Sequence, residues 1–142
     1  MAKIGNLNLN YIQYGKGKDI VLLHGWGQNI AMMQPLGNEL SNCRITILDF
    51  PGFGESEEPR ESWTVEDYSN LLNELVTELK IKNPILIGHS FGGRVAIHYA
   101  SNHPVEKLVL FGSPCIRHER KSMKEKTLKL AKKVPGMKKI SE

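Results

Sequence analysis

Residues 84–92 read Pro84-Ile85-Leu86-Ile87-Gly88-His89-Ser90-Phe91-Gly92, and their reading decides the fold. A short apolar run ends in a serine set between two glycines. A helix-like segment, Gly93-Arg94-Val95-Ala96-Ile97-His98-Tyr99-Ala100, follows directly. Strand, sharp turn, helix is the context in which Gly-x-Ser-x-Gly reads as a nucleophile elbow rather than an ordinary strand-to-helix turn. So tight a turn brings backbone against backbone, and the flanking positions call for residues with little or no side chain. The effect is to push one hydroxyl out at the carboxyl edge of a sheet. The free N–H groups and dipole of the helix that starts there favour negative charge nearby.

Upstream of the elbow, residues 7–14 alternate apolar with polar and predict one half-buried strand. Residues 19–23 predict a fully buried strand, followed by the glycine-rich loop His24-Gly25-Trp26-Gly27-Gln28-Asn29 and a short helix over 32–40. Residues 44–48 form the next buried strand and run into Asp49-Phe50-Pro51-Gly52-Phe53-Gly54-Glu55-Ser56, a loop dense in turn formers. Thr64, with Asp67 three residues on, makes a variant capping box for a helix. That helix sets Val65, Tyr68, Leu71, Leu72, Leu75, Val76 and Leu79 on one face and stops ahead of Pro84. Residues 105–111 predict a last buried strand. Strands alternate with helices, and the later strands are continuously apolar. The expected fold is therefore α/β: a doubly wound, mostly parallel sheet covered on both faces.

The chain has 142 residues, enough for one domain that buries ~70% of its unfolded surface. A composition of 40% hydrophobic and 24% charged residues is that of an ordinary soluble globule. The longest apolar runs are only a few residues, so no stable membrane insertion is expected. The first residues carry no apolar signal-peptide core, which makes the cytoplasm the expected location. Cys43 and Cys115 have no metal-type spacing and read as small buried thiols. The net charge of +4 is an average over unlike parts. Residues 1–114 hold nine Lys and Arg against twelve Asp and Glu, a net −3, whereas residues 115–142 hold ten against three, a net +7. The body thus has no nucleic-acid footprint. In the tail, Met123, Thr127, Leu130, Ala131 and Val134 recur at helical spacing among lysines, which predicts a basic amphipathic helix. It reads as the start of a helical cap or, alternatively, as a membrane-surface helix.

A serine hydroxyl attacks only when a base takes its proton, and the oxyanion that results must be stabilised. In an elbow of this kind the first oxyanion donor is the backbone N–H of the residue after the nucleophile, which is Phe91 here. The second comes from the loop after the strand beside the elbow. The His24–Gly27 stretch occupies that place in the chain, and the Trp26 N–H is the candidate donor. His24 reads as a residue that organises this loop rather than as a general base.

The His24-Gly25-Trp26-Gly27 loop, the 49–56 loop and Gly88-His89-Ser90-Phe91-Gly92-Gly93 occur in this order with the right elements between them. Together they resemble the α/β-hydrolase superfamily over essentially the whole chain. The His-Gly-Trp-Gly form is similar to that of its small carboxylesterases, including the pimeloyl-carrier-protein methyl ester esterases. The resemblance implies a serine esterase with Ser90 as nucleophile, Trp26 and Phe91 at the oxyanion-hole positions, a small-molecule ester as substrate, and neither metal nor cofactor. A serine at position 90 also sets the chain apart from the haloalkane dehalogenase and epoxide hydrolase branches, which use aspartate.

The chain also departs from the pattern. In this superfamily the triad runs Ser, Asp or Glu, then His, with the last two beyond the later strands. Here residues 1–114 match the N-terminal part of such a core, truncated after about the sixth strand, and 115–142 match the start of a cap. The strand at 105–111 is then expected to form an open apolar edge, prone to pairing. His98 lies on the elbow helix and His103 in an Asn-His-Pro turn, so neither is expected to reach Ser90. His118, next to Glu119, is the remaining candidate, and Asp49 has no histidine to orient. These residues supply a nucleophile and an oxyanion hole without a convincing base. The alternative reading is a non-catalytic domain that keeps the fold but lacks the triad acid and histidine.

Overall fold

The structure is a computed structural model that describes residues 1–112. Seven strands and three helices follow one another as β1 (Ala2–Ile4), β2 (Leu7–Leu9), β3 (Tyr11–Gly15), β4 (Lys18–Leu23), α1 (Ile30–Glu39), β5 (Cys43–Leu48), α2 (Val65–Glu78), β6 (Ile85–His89), α3 (Phe91–Asn102) and β7 (Lys107–Phe111). Five strands form the main sheet in the order β3-β5-β4-β6-β7. β3 runs antiparallel to β5 and all other pairs are parallel, which is the expected mostly parallel α/β architecture.

The apolar runs that look featureless in sequence are divided by the two-residue period of the strands. From β4, Ile20 and Leu22 point to one face, while Val21 and Leu23 point to the other. β6 does the same with Ile85 and Ile87 against Leu86. On the first face Ile30 and Met33 of α1 close over these isoleucines. On the second, Leu71, Leu72, Leu75 and Val76 of α2 pack with Val95, Ala96 and Tyr99 of α3. Each fully buried aliphatic side chain contributes on the order of 1.5–3 kcal/mol, so the two layers hold the sheet between them.

Local chemistry sets the helix ends. Thr64 Oγ1 accepts from the Asp67 N–H and Asp67 Oδ2 accepts from the Thr64 N–H, completing the expected capping box at α2. At its other end Lys80 takes a left-handed φ of 56°. Its N–H donates to Thr77 O and that of Ile81 donates to Val76 O, the pairing of a Schellman motif. The helix expected over 32–40 instead begins at Ile30. The two added residues are held by Asp49, whose Oδ1 accepts the Ile30 N–H at 2.7 Å.

The N-terminal expectation needs correction. Residues 7–14 are not one strand, because β2 and β3 separate at Asn10 and belong to different sheets. Asn10 is pulled out of line by the 49–56 loop. Its N–H donates to Ser56 Oγ, its carbonyl accepts the Asp49 N–H, and its Nδ2 donates to Asp49 Oδ2. β2 pairs instead with β1 in a hairpin turned by Gly5 and Asn6, both at positive φ (56° and 65°), as a tight two-residue turn requires. Cys43 is half-buried rather than buried, because it opens β5 at the amino edge of the sheet. Its thiol donates to Ser41 O. The basic amphipathic segment, with Cys115, His118 and Glu119, lies outside the described residues.

Candidate active site

β4 and β6 lie side by side with Leu23 opposite Gly88, so the loop after β4 and the turn after β6 emerge together at the carboxyl edge. From β4 the chain crosses to β5 on one side, and from β6 it crosses to β7 on the other. The crevice between these diverging connections is where open α/β sheets bind ligands.

Ser90 sits there between β6 and α3 with φ 54° and ψ −116°, a region costly for a residue with a Cβ. Its backbone is fully engaged. The Ser90 N–H donates to Phe111 O at 3.1 Å, and its carbonyl accepts from Gly93 and Arg94. A serine at a helix N-cap usually spends its hydroxyl on the first turn from an extended backbone. The φ of Ser90 forbids that, and its side chain makes no capping bond. The two flanking glycines are required by contact. A Cβ at Gly88 would lie 2.5 Å from Gly93 Cα, and one at Gly92 would run into the carbonyl oxygens of Leu23 and His24. α3 is thereby seated against the end of β4.

The loop after β4 opens with His24, which has no exposed surface. Its Nδ1 lies 2.7 Å from Gly25 O, and its Nε2 accepts the Phe50 N–H at 3.0 Å. Burial pushes its pKa below the ordinary histidine value, outweighing the Gly25 carbonyl and the Asp49 charge, which act in the opposite direction. With both nitrogens engaged in the neutral form, His24 ties the loop to the end of β5. That agrees with its reading as a loop organiser. Asp49 is similarly committed, because its carboxylate accepts from Ile30 N, Asn10 Nδ2 and Glu55 N. Gly54 passes so close to that carboxylate that a Cβ there would strike it.

Trp26 is 64% exposed at the tip of the loop. Its ring stands edge-on to Phe53 at 4.7 Å and to Phe91 at 5.1 Å between centroids. Phe91 in turn meets Phe50 and Tyr68. The fold therefore brings Trp26, Phe91 and Ser90 to one edge. It does not bring His98 or His103. His98 lies two turns along α3, about 12 Å from Ser90 at 1.5 Å per residue, and His103 caps the far end of that helix, stacked on Tyr99. Sequence reading passed over Gln28 and gave Asp49 no partner. Gln28 Oε1 accepts from Gly25 N and lies 3.1 Å from His89 Nδ1. The contact with Gly25 is local to one turn, whereas that with His89 follows no spacing rule, since it joins segments that only the sheet brings together. Among the described residues no group of three His, Cys, Asp or Glu side chains is placed to hold a metal ion.

A strained serine at the carboxyl edge of a mostly parallel sheet, next to a glycine-rich loop from the neighbouring strand, defines a class of architecture. The chain belongs to the α/β-hydrolase family: the family model described as the alpha/beta hydrolase fold matches residues 19–139. It is 38% identical over 109 residues to the pimeloyl-[acyl-carrier protein] methyl ester esterase of Vibrio campbellii, a match covering 75% of this chain and 41% of that enzyme. An enol-lactonase from Burkholderia xenovorans superposes with a TM-score of 0.76 at 28% identity, covering 79% of this chain and 46% of the other. An esterase from Exiguobacterium antarcticum gives 0.73 at 27% identity, covering 89% and 55%. The chain thus spans about 40% of the length of the Vibrio relative.

Proposed function

We propose that the protein is a serine hydrolase acting on carboxylic esters. Ser90 is the nucleophile, and the backbone N–H groups of Phe91 and Trp26 hold the oxyanion of the tetrahedral intermediate. One observation carries this reading: Ser90 is held at positive φ at the start of α3, with its hydroxyl unspent on the helix it precedes. Strain of this kind persists only where the surrounding structure imposes it, and it gathers at reacting groups. The Phe91 N–H belongs to the unpaired first turn of α3, where the helix dipole favours a developing negative charge. The ester class is supported by the name of the Vibrio relative.

A second reading, a hydrolase-like module without turnover, is favoured by a separate observation. Among the described residues no histidine meets Ser90, and His24 is consumed by Gly25 and Phe50. Loss of the serine–histidine unit in another serine hydrolase costs on the order of 10⁶ in turnover, leaving ~10³–10⁴ over water.

A fluorophosphonate probe applied to the full-length protein should label Ser90, and Ser90→Ala should abolish labelling. Labelling that survives this substitution would remove Ser90 from the mechanism. Turnover of a p-nitrophenyl ester by residues 1–142 separates the two readings. Sustained hydrolysis would refute the non-catalytic one.

A further inference from the structure

The turn that carries Trp26 is closed twice by one residue. The Gln28 N–H donates to Gly25 O at 3.1 Å, closing a four-residue turn. Gly27 lies at its third position with φ 77°, as a type II turn requires. The Gln28 side chain then folds back, and its Oε1 accepts the Gly25 N–H at 2.9 Å. Because a backbone N–H can only donate, this contact fixes which amide atom is the oxygen. The same oxygen lies 3.1 Å from His89 Nδ1, so the ring carries its proton on that nitrogen and donates it. His89 immediately precedes Ser90 and is itself held. Its ring lies over Phe111 at 4.8 Å, and its Nε2 edge fits against Gly112, where a Cβ would come within 3.2 Å. Phe111 O accepts the Ser90 N–H.

We propose that Gln28 is a positioning residue for the oxyanion hole, its single amide oxygen clamping the Trp26 turn to the elbow through His89. The inference rests on the reading of Ser90, Trp26 and Phe91 given above. The two oxyanion donors come from segments far apart in the chain, and such donors act only when both are preset at hydrogen-bond distance from the oxyanion. The Trp26 ring cannot set that distance, because it is mostly exposed and meets Phe53 and Phe91 only through edge contacts between rings. Gln28 can, because a carbonyl oxygen has two lone pairs and uses one on each half. A side chain of the same length without an acceptor breaks both bonds at once.

The test measures fluorophosphonate labelling of the full-length protein together with amide hydrogen exchange at Gly25 and Trp26. Gln28→Met keeps the length and removes the acceptor, Gln28→Glu keeps an acceptor, and His89→Phe removes the donor while keeping a ring over Phe111. Gln28→Met should slow the saturating labelling rate ~10- to 100-fold, the cost of displacing a positioned group by about 1 Å, at an unchanged half-saturating probe concentration. It should also speed exchange at Gly25, which Gln28→Glu should leave slow. His89→Phe should slow labelling too, and the double variant should be no slower than Gln28→Met alone. If the wild type is not labelled at Ser90, the hydrolase reading falls and this inference falls with it. If the wild type is labelled and Gln28→Met reacts at its rate, the clamp alone is overturned. A change confined to the half-saturating concentration, or slower labelling with Gly25 exchange unaltered, overturns it as well. Should Gln28→Met not fold, His89→Phe decides the matter from the other end of the same bond.

Discussion

The indole of Trp26 stands edge-on to the phenyl ring of Phe91, with centroids 5.1 Å apart, although the two residues come from different crossovers of the sheet. This contact links the loop after β4 to the first residue of α3, the two segments whose backbone N–H groups the proposed mechanism uses. Trp26→Pro tests the backbone rather than the ring. Proline suits the second position of the Gly25–Gln28 turn, so the turn should survive while the N–H is lost. Removing one oxyanion donor should lower turnover or labelling of the full-length protein by about 10²–10³. Trp26→Ala, which keeps the N–H, should cost less than about tenfold. Equal effects from the two substitutions would assign the role to the ring.

Ser90 carries backbone strain that glycine would not feel. Ser90→Gly should raise stability by about 1 kcal/mol, the strain of order 1–3 kcal/mol less the greater freedom of glycine in the unfolded chain. Ser90→Ala keeps the Cβ and should bring no such gain. Both should abolish labelling. Urea midpoints for the three proteins check this, and a destabilised Ser90→Gly would show that the elbow is not strained.

Gly92 lies inside the first turn of α3, where alanine would ordinarily improve a helix by about 1 kcal/mol. Here the added Cβ meets the carbonyl oxygens of Leu23 and His24, which belong to the rigid end of β4. Gly92→Ala should therefore destabilise by about 3 kcal/mol or more. A thermal midpoint equal to that of the wild type would contradict the close seating of α3.

His24 makes stability depend on pH in one direction. Its folded pKa is depressed, first by burial, so the unfolded chain takes up this proton at a higher pH than the folded chain does. As pH falls through about 6.5 toward the depressed folded value, stability should drop by up to about 1.4 kcal/mol per pH unit. Above about pH 7 this group should contribute no slope. Denaturant midpoints between pH 7.5 and 5 should fall more steeply for the wild type than for His24→Gln. Parallel curves would mean that His24 is not buried neutral.

The register of apolar residues, the Thr64 capping box and the Gly-x-Ser-x-Gly stretch were legible because each depends on neighbours within a few positions. Period-two burial, a cap three residues long and a turn flanked by glycines are local, and so was the order of strands and helices from β4 onward. The fate of Asp49 was not legible. Its carboxylate joins Ile30, Asn10 and Glu55, and Asn10 in answering breaks what reads as one strand into β2 and β3. The pairing of Gln28 with His89 was equally hidden, since it exists only because β4 and β6 are neighbours. The sequence by itself thus determined the family, the elements from β4 onward and the serine at the turn. Only the tertiary structure decided that His24 is buried with both nitrogens engaged, that Ser90 leaves its hydroxyl uncommitted to the helix, and that Trp26 meets Phe91. Those outcomes depend on distances between segments remote in the chain, which strand order and burial set and no local pattern encodes.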